Sequence, residues 1–484
     1  MLRRASSMHS VFRPAAGRLI GVCTAMWLGV AALAGHASSQ PATAPGSSMV
    51  VRGATVIDGN GGAPRRNVDI VVRDDRIAAV GPAQPVPAGT TEIDARGAWV
   101  VPGLIDVHVH LDAPMVFQIS DEEKARILAH TPEAFLYNGV TTILNVSSTP
   151  EWIFDLRARQ REGRVVAPRI FATGRSITPD GGWGSRHGGA LTDAASARAM
   201  VKSFVDMKAD AIKIIIEDGL GRSGTYKEMS DEMLHAAAEE AARAKTPTVV
   251  HAVNLEEYRR ALSVRPRAII HGLEDPIPAG DTLIADLVRG GVFVAPTLSL
   301  WESFNSFERH PERFDDPVLH GSVPPFLLAS MRKPEYRAVE KKRFLEVARM
   351  DAYAWADARM KTFNANTLAM HRAGVKLAVG TDAGGPVGYN FQGYNTIREM
   401  ELLVEAGLSP MEVMVAATRT GAELIGAADR LGTLAPGKLA DFLVLDADPL
   451  ADIRNVRRVR TVVQGGVAHR RSEFDARKGS MVEN

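Results

Sequence analysis

Short apolar runs alternate with amphipathic helical patterns between residues 99 and 430, and this alternation constrains the fold more than any other feature of the sequence. The order is typical of βα units that build a parallel sheet. The eight runs are 99–110, 141–146, 169–173, 211–216, 248–253, 268–271, 292–297 and 376–381. Because eight such units can close on themselves, we predict an α/β protein with a (β/α)8 TIM barrel.

The segment 298–372 interrupts this alternation between the seventh and eighth runs. It is rich in charged residues, with proline and aromatic interruptions, and a connection of this length is rarely a simple crossover. We expect a helical insertion that lies over the mouth of the barrel.

The two ends of the chain have a different pattern, in which short alternating strands are separated by Gly- and Asp-rich turns. We predict that these strands form one small β-sandwich domain, with its first part at 49–98 and its second part at 431–470. The barrel domain at 99–430 lies between the two parts. A linker rich in Ser, Pro, Ala and Gly at 38–48 precedes the domain, and a polar tail at 471–484 follows it.

The N-terminal residues predict export. Arginines precede an apolar run at 19–34, and Gly-His-Ala at 35–37 has small residues at the two positions that a signal peptidase reads. The run of about 16 residues is shorter than the roughly 20 that a membrane span requires, so we favour a cleaved signal peptide at 1–37 over a membrane anchor. A lipid-modified Cys23 is the weaker alternative, because the preceding valine is bulky for that processing. We therefore predict a periplasmic or secreted protein without stable membrane insertion.

Composition limits both the metal ligands and the partners. Cys23 is the only cysteine and would leave with the signal peptide, so the mature chain offers a metal only nitrogen and oxygen ligands. Lys and Arg total 57, against 56 for Asp and Glu. This balance lacks the basic excess typical of nucleic-acid binding. We expect a small-molecule substrate and no nucleic acid.

His108 and His110 stand at the end of the first apolar run. Residues two apart on a strand project from the same face, about 6 to 7 Å apart, so both imidazoles could bind one cation. The alternative is that the pair only caps the strand.

Lys213 is the only charged residue in the run 211–216. Burying an ammonium group without a partner costs free energy, so the presence of a lysine in this apolar run requires an explanation. A salt bridge is one explanation. Another is that burial lowers the pKa of the amine, which could then take up carbon dioxide as a carbamate that bridges two cations.

Further candidate ligands follow other runs, although each alone could be an ordinary structural residue. His251 lies in the fifth run, His271 ends the sixth, and Asp382 follows the eighth. In a barrel the carboxyl ends of the strands meet at one mouth. We therefore expect six ligands to converge there: His108, His110 and Asp382 on one metal, His251 and His271 on a second, and modified Lys213 between them.

These residues, with the motifs Gly-Leu-Ile-Asp-Val-His-Val-His at 103–110 and Gly-Thr-Asp-Ala at 380–383, resemble the metal-dependent amidohydrolase superfamily. The resemblance covers about 49–466 and is to the subtype with a binuclear centre and a carboxylated lysine on the fourth strand. Segments 210–217 and 296–299 look most like the imidazolonepropionase-related group, which includes Xaa-Pro dipeptidases and ochratoxin-type amidases. Because such relatives often assemble, the resemblance also implies a homo-oligomer.

The implied chemistry is hydrolysis of an amide or peptide C–N bond in a dipeptide, an N-acyl amino acid or an ochratoxin-like amide. Two divalent ions, with Zn2+ expected, would share a water and lower its pKa from 15.7 to about 7. Asp382, both ligand and catalytic base, would pass the proton to the leaving nitrogen. Lactone or phosphotriester hydrolysis on the same centre is the alternative. A deaminase would not need the bridging lysine, and a non-catalytic relative would commonly have lost ligands.

Substrate-binding residues are expected in loops at the same end of the barrel. Arg186 and His187 lie in a glycine-rich loop after the third run and could bind a carboxylate or a carbonyl oxygen, unless the loop is only a mobile surface segment. Tyr226 matches in rough placement a tyrosine that contacts substrate carboxylates in the related group. Trp301 and Tyr389 could line the pocket or simply pack.

Two features depart from the related group. Ile-Glu-Asp-Gly at 216–219 replaces a small, Gly-rich continuation after the lysine strand, and the insertion at 298–372 is long. We expect both to affect the choice of substrate rather than the binding of metal.

Overall fold

The structure, a computed structural model, describes residues 48–112, 120–185, 191–219, 224–348, 351–385 and 389–480. Within these ranges the strands are β1 (Ser48–Val56), β2 (Arg65–Arg73), β3 (Arg76–Gly81), β4 (Thr91–Asp94), β5 (Trp99–Pro102), β6 (Leu104–Val109), β7 (Val140–Asn145), β8 (Arg169–Ala172), β9 (Ile212–Ile215), β10 (Thr248–His251), β11 (Ala268–Ile270), β12 (Phe293–Ala295), β13 (Lys376–Leu377), β14 (Phe442–Leu445), β15 (Val459–Gln464) and β16 (Val467–Arg470).

The helices in the same ranges are α1 (Asp121–Tyr137), α2 (Pro150–Arg161), α3 (Ala194–Asp206), α4 (Asp231–Arg243), α5 (Leu255–Ser263), α6 (Leu283–Gly290), α7 (Leu298–Ser303), α8 (Ser306–Arg309), α9 (Pro317–Ser322), α10 (Pro325–Met331), α11 (Pro334–Ala348), α12 (Ala352–Arg372), α13 (Tyr394–Glu405), α14 (Pro410–Val415), α15 (Gly421–Leu424) and α16 (Arg471–Ser480). The α/β class predicted from the sequence is confirmed.

Eight of the strands, from both ends of the chain, form one mixed sheet. Its order is β16-β15-β14-β5-β1-β2-β3, and β4 pairs with β1. The antiparallel pair of β5 and β14 places Val100 opposite Val444 and so joins the two ends. Val51, Ile70 and Phe442 contribute to a buried apolar cluster on this sheet. The packing of these strands as a sandwich stays a prediction.

The other eight strands are parallel and form a three-stranded sheet, β6-β7-β8, and a five-stranded sheet, β9 to β13. Hydrogen bonds connect an edge strand of each sheet to the chain that follows an edge strand of the other, since Ile177 follows β8 and Val379 follows β13. Ile177 N donates to Lys213 O (2.8 Å), and Val107 N donates to Val379 O (2.9 Å). Each apolar run predicted from the sequence overlaps one of these strands.

The first predicted run, 99–110, is divided into two strands that belong to different sheets. The division falls at Gly103, whose N–H donates to Asp441 O (3.0 Å). A Cβ atom at Gly103 would lie 2.1 Å from Thr141 Oγ1, so no larger residue fits there. The chain thus passes from the end sheet directly into the strand that carries His108.

Local sequence explains the regular elements. All residues of β6, β7 and β10 are buried, as is usual for parallel strands with both faces covered. Helix α4 begins after Ser230, whose hydroxyl accepts a hydrogen bond from Met233 N (3.3 Å) and caps the helix. The predicted apolar stripe of this helix, which includes Leu234 and Ala237, is buried.

Helices α7 to α12 lie within 298–372, where the sequence predicted a helical insertion. Trp301, Trp355 and Phe363 form a buried aromatic cluster, with the rings of Trp301 and Phe363 stacked at a centroid distance of 5.1 Å. The buried carboxyl group of Glu399 accepts hydrogen bonds from Leu298 N (3.0 Å) and Ser299 N (2.6 Å) at the start of α7. The insertion is therefore anchored in the same core as the parallel strands.

The predicted polar tail contains α16, in which Phe474 is buried and packs edge-on against Tyr137 at 6.5 Å.

None of the helices in the described ranges is both long and apolar enough to span a membrane. The predicted signal peptide at 1–37 lies outside the described residues, as does 38–47 of the linker.

Candidate metal centre

The carboxyl ends of β6 and β13 bring two histidines and one aspartate together. His108 Nε2 lies 2.9 Å and His110 Nε2 lies 2.7 Å from the same atom, Asp382 Oδ1. All three potential ligand atoms lie within 4.8 Å of one another. His108, His110 and Asp382 could therefore hold one metal ion, although Asp382 lies 274 residues after His108 and 272 after His110.

Two more histidines continue this cluster. His271 follows β11, and its ring centroid lies 5.0 Å from that of His108 and 4.1 Å from that of His251. His271 Nδ1 is hydrogen-bonded to Thr297 Oγ1 (2.9 Å), which leaves its Nε2 for a ligand. The structure thus brings together all four histidines that the sequence analysis selected.

Lys213 lies in β9 and is 2% exposed. Its Nζ atom has no hydrogen-bond partner among the described residues. Burial lowers the pKa of Lys213 to about 7, against the opposing effects of Asp382 and Glu217. The salt bridge that would have explained this residue is not found in the described part of the chain.

Glu217 is a site residue that the sequence analysis did not select as a ligand. It follows β9, is 4% exposed, and makes a short hydrogen bond through Oε2 with His251 Nε2. Burial raises the pKa of Glu217, and the charge of Asp218 adds to this effect. The available signal was weak: Glu217 is an acidic residue two positions after the end of β9, the strand that carries Lys213.

The ionisation states suit metal binding. Burial lowers the pKa of His108 to about 3 and holds those of His251 and His271 well below the usual value. Burial alone would raise the pKa of Asp382, but the hydrogen bonds with His108 and His110 hold it well below its usual value. Neutral imidazoles beside a carboxylate are the nitrogen and oxygen donors that Zn2+ accepts, so the residues present fit a divalent cation.

Asp106 connects the segment that carries His108 to the segment that carries Asp382. Its buried carboxyl group accepts hydrogen bonds from the hydroxyls of Thr381 (2.8 Å) and Thr396 (2.7 Å), and from the N–H groups of His108 and Thr381 (both 3.2 Å). Burial raises the pKa of Asp106 to about 7. These bonds fix the β6 end, which carries His108, against the turn that carries Asp382.

Backbone conformation is also unusual at this site. His271, Thr297 and Asp382 have positive φ values of 85°, 49° and 58°. Such values are uncommon for residues other than glycine, and they cluster at functional sites.

The predicted substrate-binding residues have different outcomes. Tyr226 is half-buried, and its ring lies 4.9 Å from that of Trp183 in an edge-on contact. Arg186 and His187 lie outside the described residues. Trp301 is buried with its ring 5.9 Å from that of His271, whereas Tyr389 packs against Phe307 in a separate aromatic cluster.

Comparison with known proteins identifies the class. Residues 99–468 match the amidohydrolase family. The chain therefore belongs to the amidohydrolase family, whose members are typically metal-dependent hydrolases. The family predicted from the motifs at 103–110 and 380–383 is confirmed.

Individual relatives agree with this assignment. Imidazolonepropionase of Ralstonia nicotianae is 26% identical over 429 residues, which cover 82% of this chain and 90% of the relative. A Xaa-Pro dipeptidase with bound methionine in its active site has a TM-score of 0.70 at 23% identity, covering 88% of this chain and 100% of that one. The A. niger ochratoxinase has a TM-score of 0.67 at 20% identity, covering 88% and 96%. At these identities the two structures show the fold alone, which is of the TIM-barrel type.

Proposed function

We propose that this protein is a metal-dependent hydrolase that cleaves an amide or peptide C–N bond of a small substrate. The observation that carries the proposal is the buried oxygen of Asp382 shared by His108 and His110, because a divalent cation would complete this donor set. A dipeptide or an N-acyl amino acid is the expected substrate, with an ochratoxin-like amide as a third candidate. The names of the similar Xaa-Pro dipeptidase and ochratoxinase support this choice.

We infer that the parallel strands close into a (β/α)8 barrel and that the end sheet packs as a β-sandwich. The hydrogen bonds of Ile177 with Lys213, and of Val107 with Val379, support closure because each connects a strand of one parallel sheet to the segment that follows an edge strand of the other. A closed barrel would direct every selected ligand to one mouth.

Two divalent ions, with Zn2+ as the expected metal, would occupy this mouth. His108, His110 and Asp382 would hold one ion, and His251 and His271 the other. Lys213, carboxylated by carbon dioxide, would lie between them. The Nζ of Lys213 is buried and has no hydrogen-bond partner among the described residues. This supports the role, because carboxylation and metal binding would remove the cost of burying an unpartnered polar group.

The protein groups would contribute positioning and proton transfer. When bound, the ions would lower the pKa of a water molecule and polarise the scissile carbonyl group. Asp382 would accept the proton of the attacking water and donate it to the leaving nitrogen. His108, His251 and His271 would bind the ions through neutral imidazole nitrogens.

The substrate would be held by groups on the loops around the mouth. Tyr226, with Arg186 and His187, would bind the carboxylate or carbonyl oxygens of the substrate. For Tyr226 this role rests on its place after the lysine strand β9, and its ring is in edge-on contact with Trp183.

A substrate panel on zinc-loaded protein tests the proposal. The panel contains N-acyl amino acids and dipeptides of both configurations, together with lactones and phosphotriesters as the competing classes. We expect turnover of at least one amide and slower turnover of the lactones and phosphotriesters. Turnover restricted to lactones or phosphotriesters would overturn the amide assignment.

Export and assembly are proposed on the sequence alone. Residues 1–37 would direct the protein to the periplasm or the medium, which sequencing of the mature N-terminus would test. A homo-oligomer is expected, and sedimentation velocity of the mature protein would detect it.

A further inference from the structure

Glu217 makes the same kind of contact at one end of the histidine cluster as Asp382 makes at the other. Asp382 Oδ1 lies against the Nε2 atoms of His108 and His110, and Glu217 Oε2 lies against the Nε2 atom of His251. In both places a buried carboxylate oxygen meets a nitrogen atom that is selected as a metal ligand. The cluster therefore has one carboxylate for each of its two groups of histidines.

Glu217 lacks the partners that a buried structural glutamate usually has. It is 4% exposed, and the bond with His251 is its only hydrogen bond within the described residues. The charge of Lys213 acts on this carboxyl group, but no arginine or lysine in that part of the chain lies within ion-pair distance of it. A buried carboxylate that contacts no cation is costly, and a divalent cation beside His251 would supply that contact.

A neighbouring residue shows what a structural glutamate looks like here. Glu257 is also 4% exposed, but its Oε2 accepts a hydrogen bond from Val253 N (2.7 Å) at the start of α5. Its carboxyl group makes no hydrogen bond with a histidine in the described ranges. Burial alone therefore does not distinguish Glu217, whereas its contact with His251 does.

We propose that Glu217 is a ligand of the second metal ion, together with His251 and His271. This inference rests on the proposed binuclear function and deepens it. The second ion then has a protein carboxylate of its own, as the first ion has Asp382, and does not depend only on a carbamate at Lys213. The segment 216–219 accordingly affects metal binding, and not only the choice of substrate.

The test measures metal content and affinity rather than activity. Purified wild-type protein, Glu217→Gln and the matched control Glu257→Gln are dialysed against limiting Zn2+, and bound metal is counted by mass spectrometry. Calorimetric titration of metal-free protein then gives the affinity of each site. We expect two ions in the wild type and in Glu257→Gln, and one ion in Glu217→Gln, with the second ion bound roughly tenfold or more weakly.

The outcomes separate this inference from the proposed function. Two ions of unchanged affinity in Glu217→Gln would overturn the role of Glu217 and leave the hydrolase proposal intact. A wild type that binds one ion would also overturn it, whereas one that binds none would contradict the proposed function itself. If Glu217→Gln does not fold, Glu217→Asp replaces it, and an unchanged affinity for the second ion in that variant counts against the proposal.

Discussion

The candidate metal centre and the end sheet are both buried, but they are built from different kinds of group. In the end sheet, Val51, Ile70 and Phe442 are fully buried and apolar. At the strand ends, burial instead encloses imidazoles and carboxylates, the Nζ of Lys213 has no partner among the described residues, and Asp382 has a positive φ. Buried polar groups and strained backbone cost stability, whereas buried apolar side chains contribute to it.

This contrast predicts opposite responses to substitution. Changes at the strand ends should affect turnover and metal binding more than folding. Changes in the end sheet should affect folding and leave the metal ligands intact.

Asp382→Asn is the strongest test at the strand ends. The amide cannot accept a proton as the carboxylate does, so kcat should fall roughly 100- to 10,000-fold. Circular dichroism should show an unchanged fold, and metal content must be measured in the same sample. Near-normal turnover with both ions bound would remove Asp382 from the catalytic step.

Phe442→Ala is the matching change in the end sheet. It removes a fully buried ring from the apolar cluster and should lower the free energy of unfolding by about 3 to 5 kcal/mol. Urea denaturation measures this loss. Metal bound per folded molecule should stay at the wild-type level, and a loss of metal at full folding would break the contrast between the two regions.

Lys213→Met should weaken metal binding without lowering the stability of the metal-free protein. Because the ammonium has no partner in the described residues, metal-free protein should keep its stability or gain up to about 2 kcal/mol. Metal binding should fall. Lys202→Met is the surface control, since Lys202 is paired with Asp206 on an exposed face, and it should change stability by less than about 0.5 kcal/mol. A large loss of stability in Lys213→Met would show that the lysine is structural.

Glu399→Gln extends the comparison to a buried carboxyl group that is not a predicted metal ligand. Burial raises the pKa of Glu399 from its ordinary 4.5 to about 8, so the folded state holds the proton more tightly than the unfolded state. Its contribution to stability is full below pH 4.5 and is lost as the pH rises through 8. The stability of the wild type relative to Glu399→Gln should therefore fall as the pH rises from 5 to 8, as followed by urea denaturation. A wild type that becomes more stable relative to Glu399→Gln over this range would contradict the raised pKa.

Much of the site could be predicted because some signals are local. The period of a strand placed His108 and His110 on one face, and the apolar surroundings of Lys213 marked it as unusual. Glu217 was missed because a glutamate after a strand is ordinary in sequence, and its contact with His251 crosses between two strands. Asp106 was missed for a similar reason. Its role depends on hydrogen bonds with Thr381 and Thr396, and both residues are far from it along the chain.

The amino-acid sequence by itself determined the alternating strands and helices, the position of each selected histidine at a strand end, and the family. These depend on side-chain periodicity and short motifs, which act over a few residues. Only the tertiary structure decided that the run at 99–110 divides at Gly103, that one oxygen of Asp382 serves two histidines, and that Glu217 meets His251. Those contacts depend on how distant strands align, and strand alignment is set by the packing of the whole chain rather than by local preference.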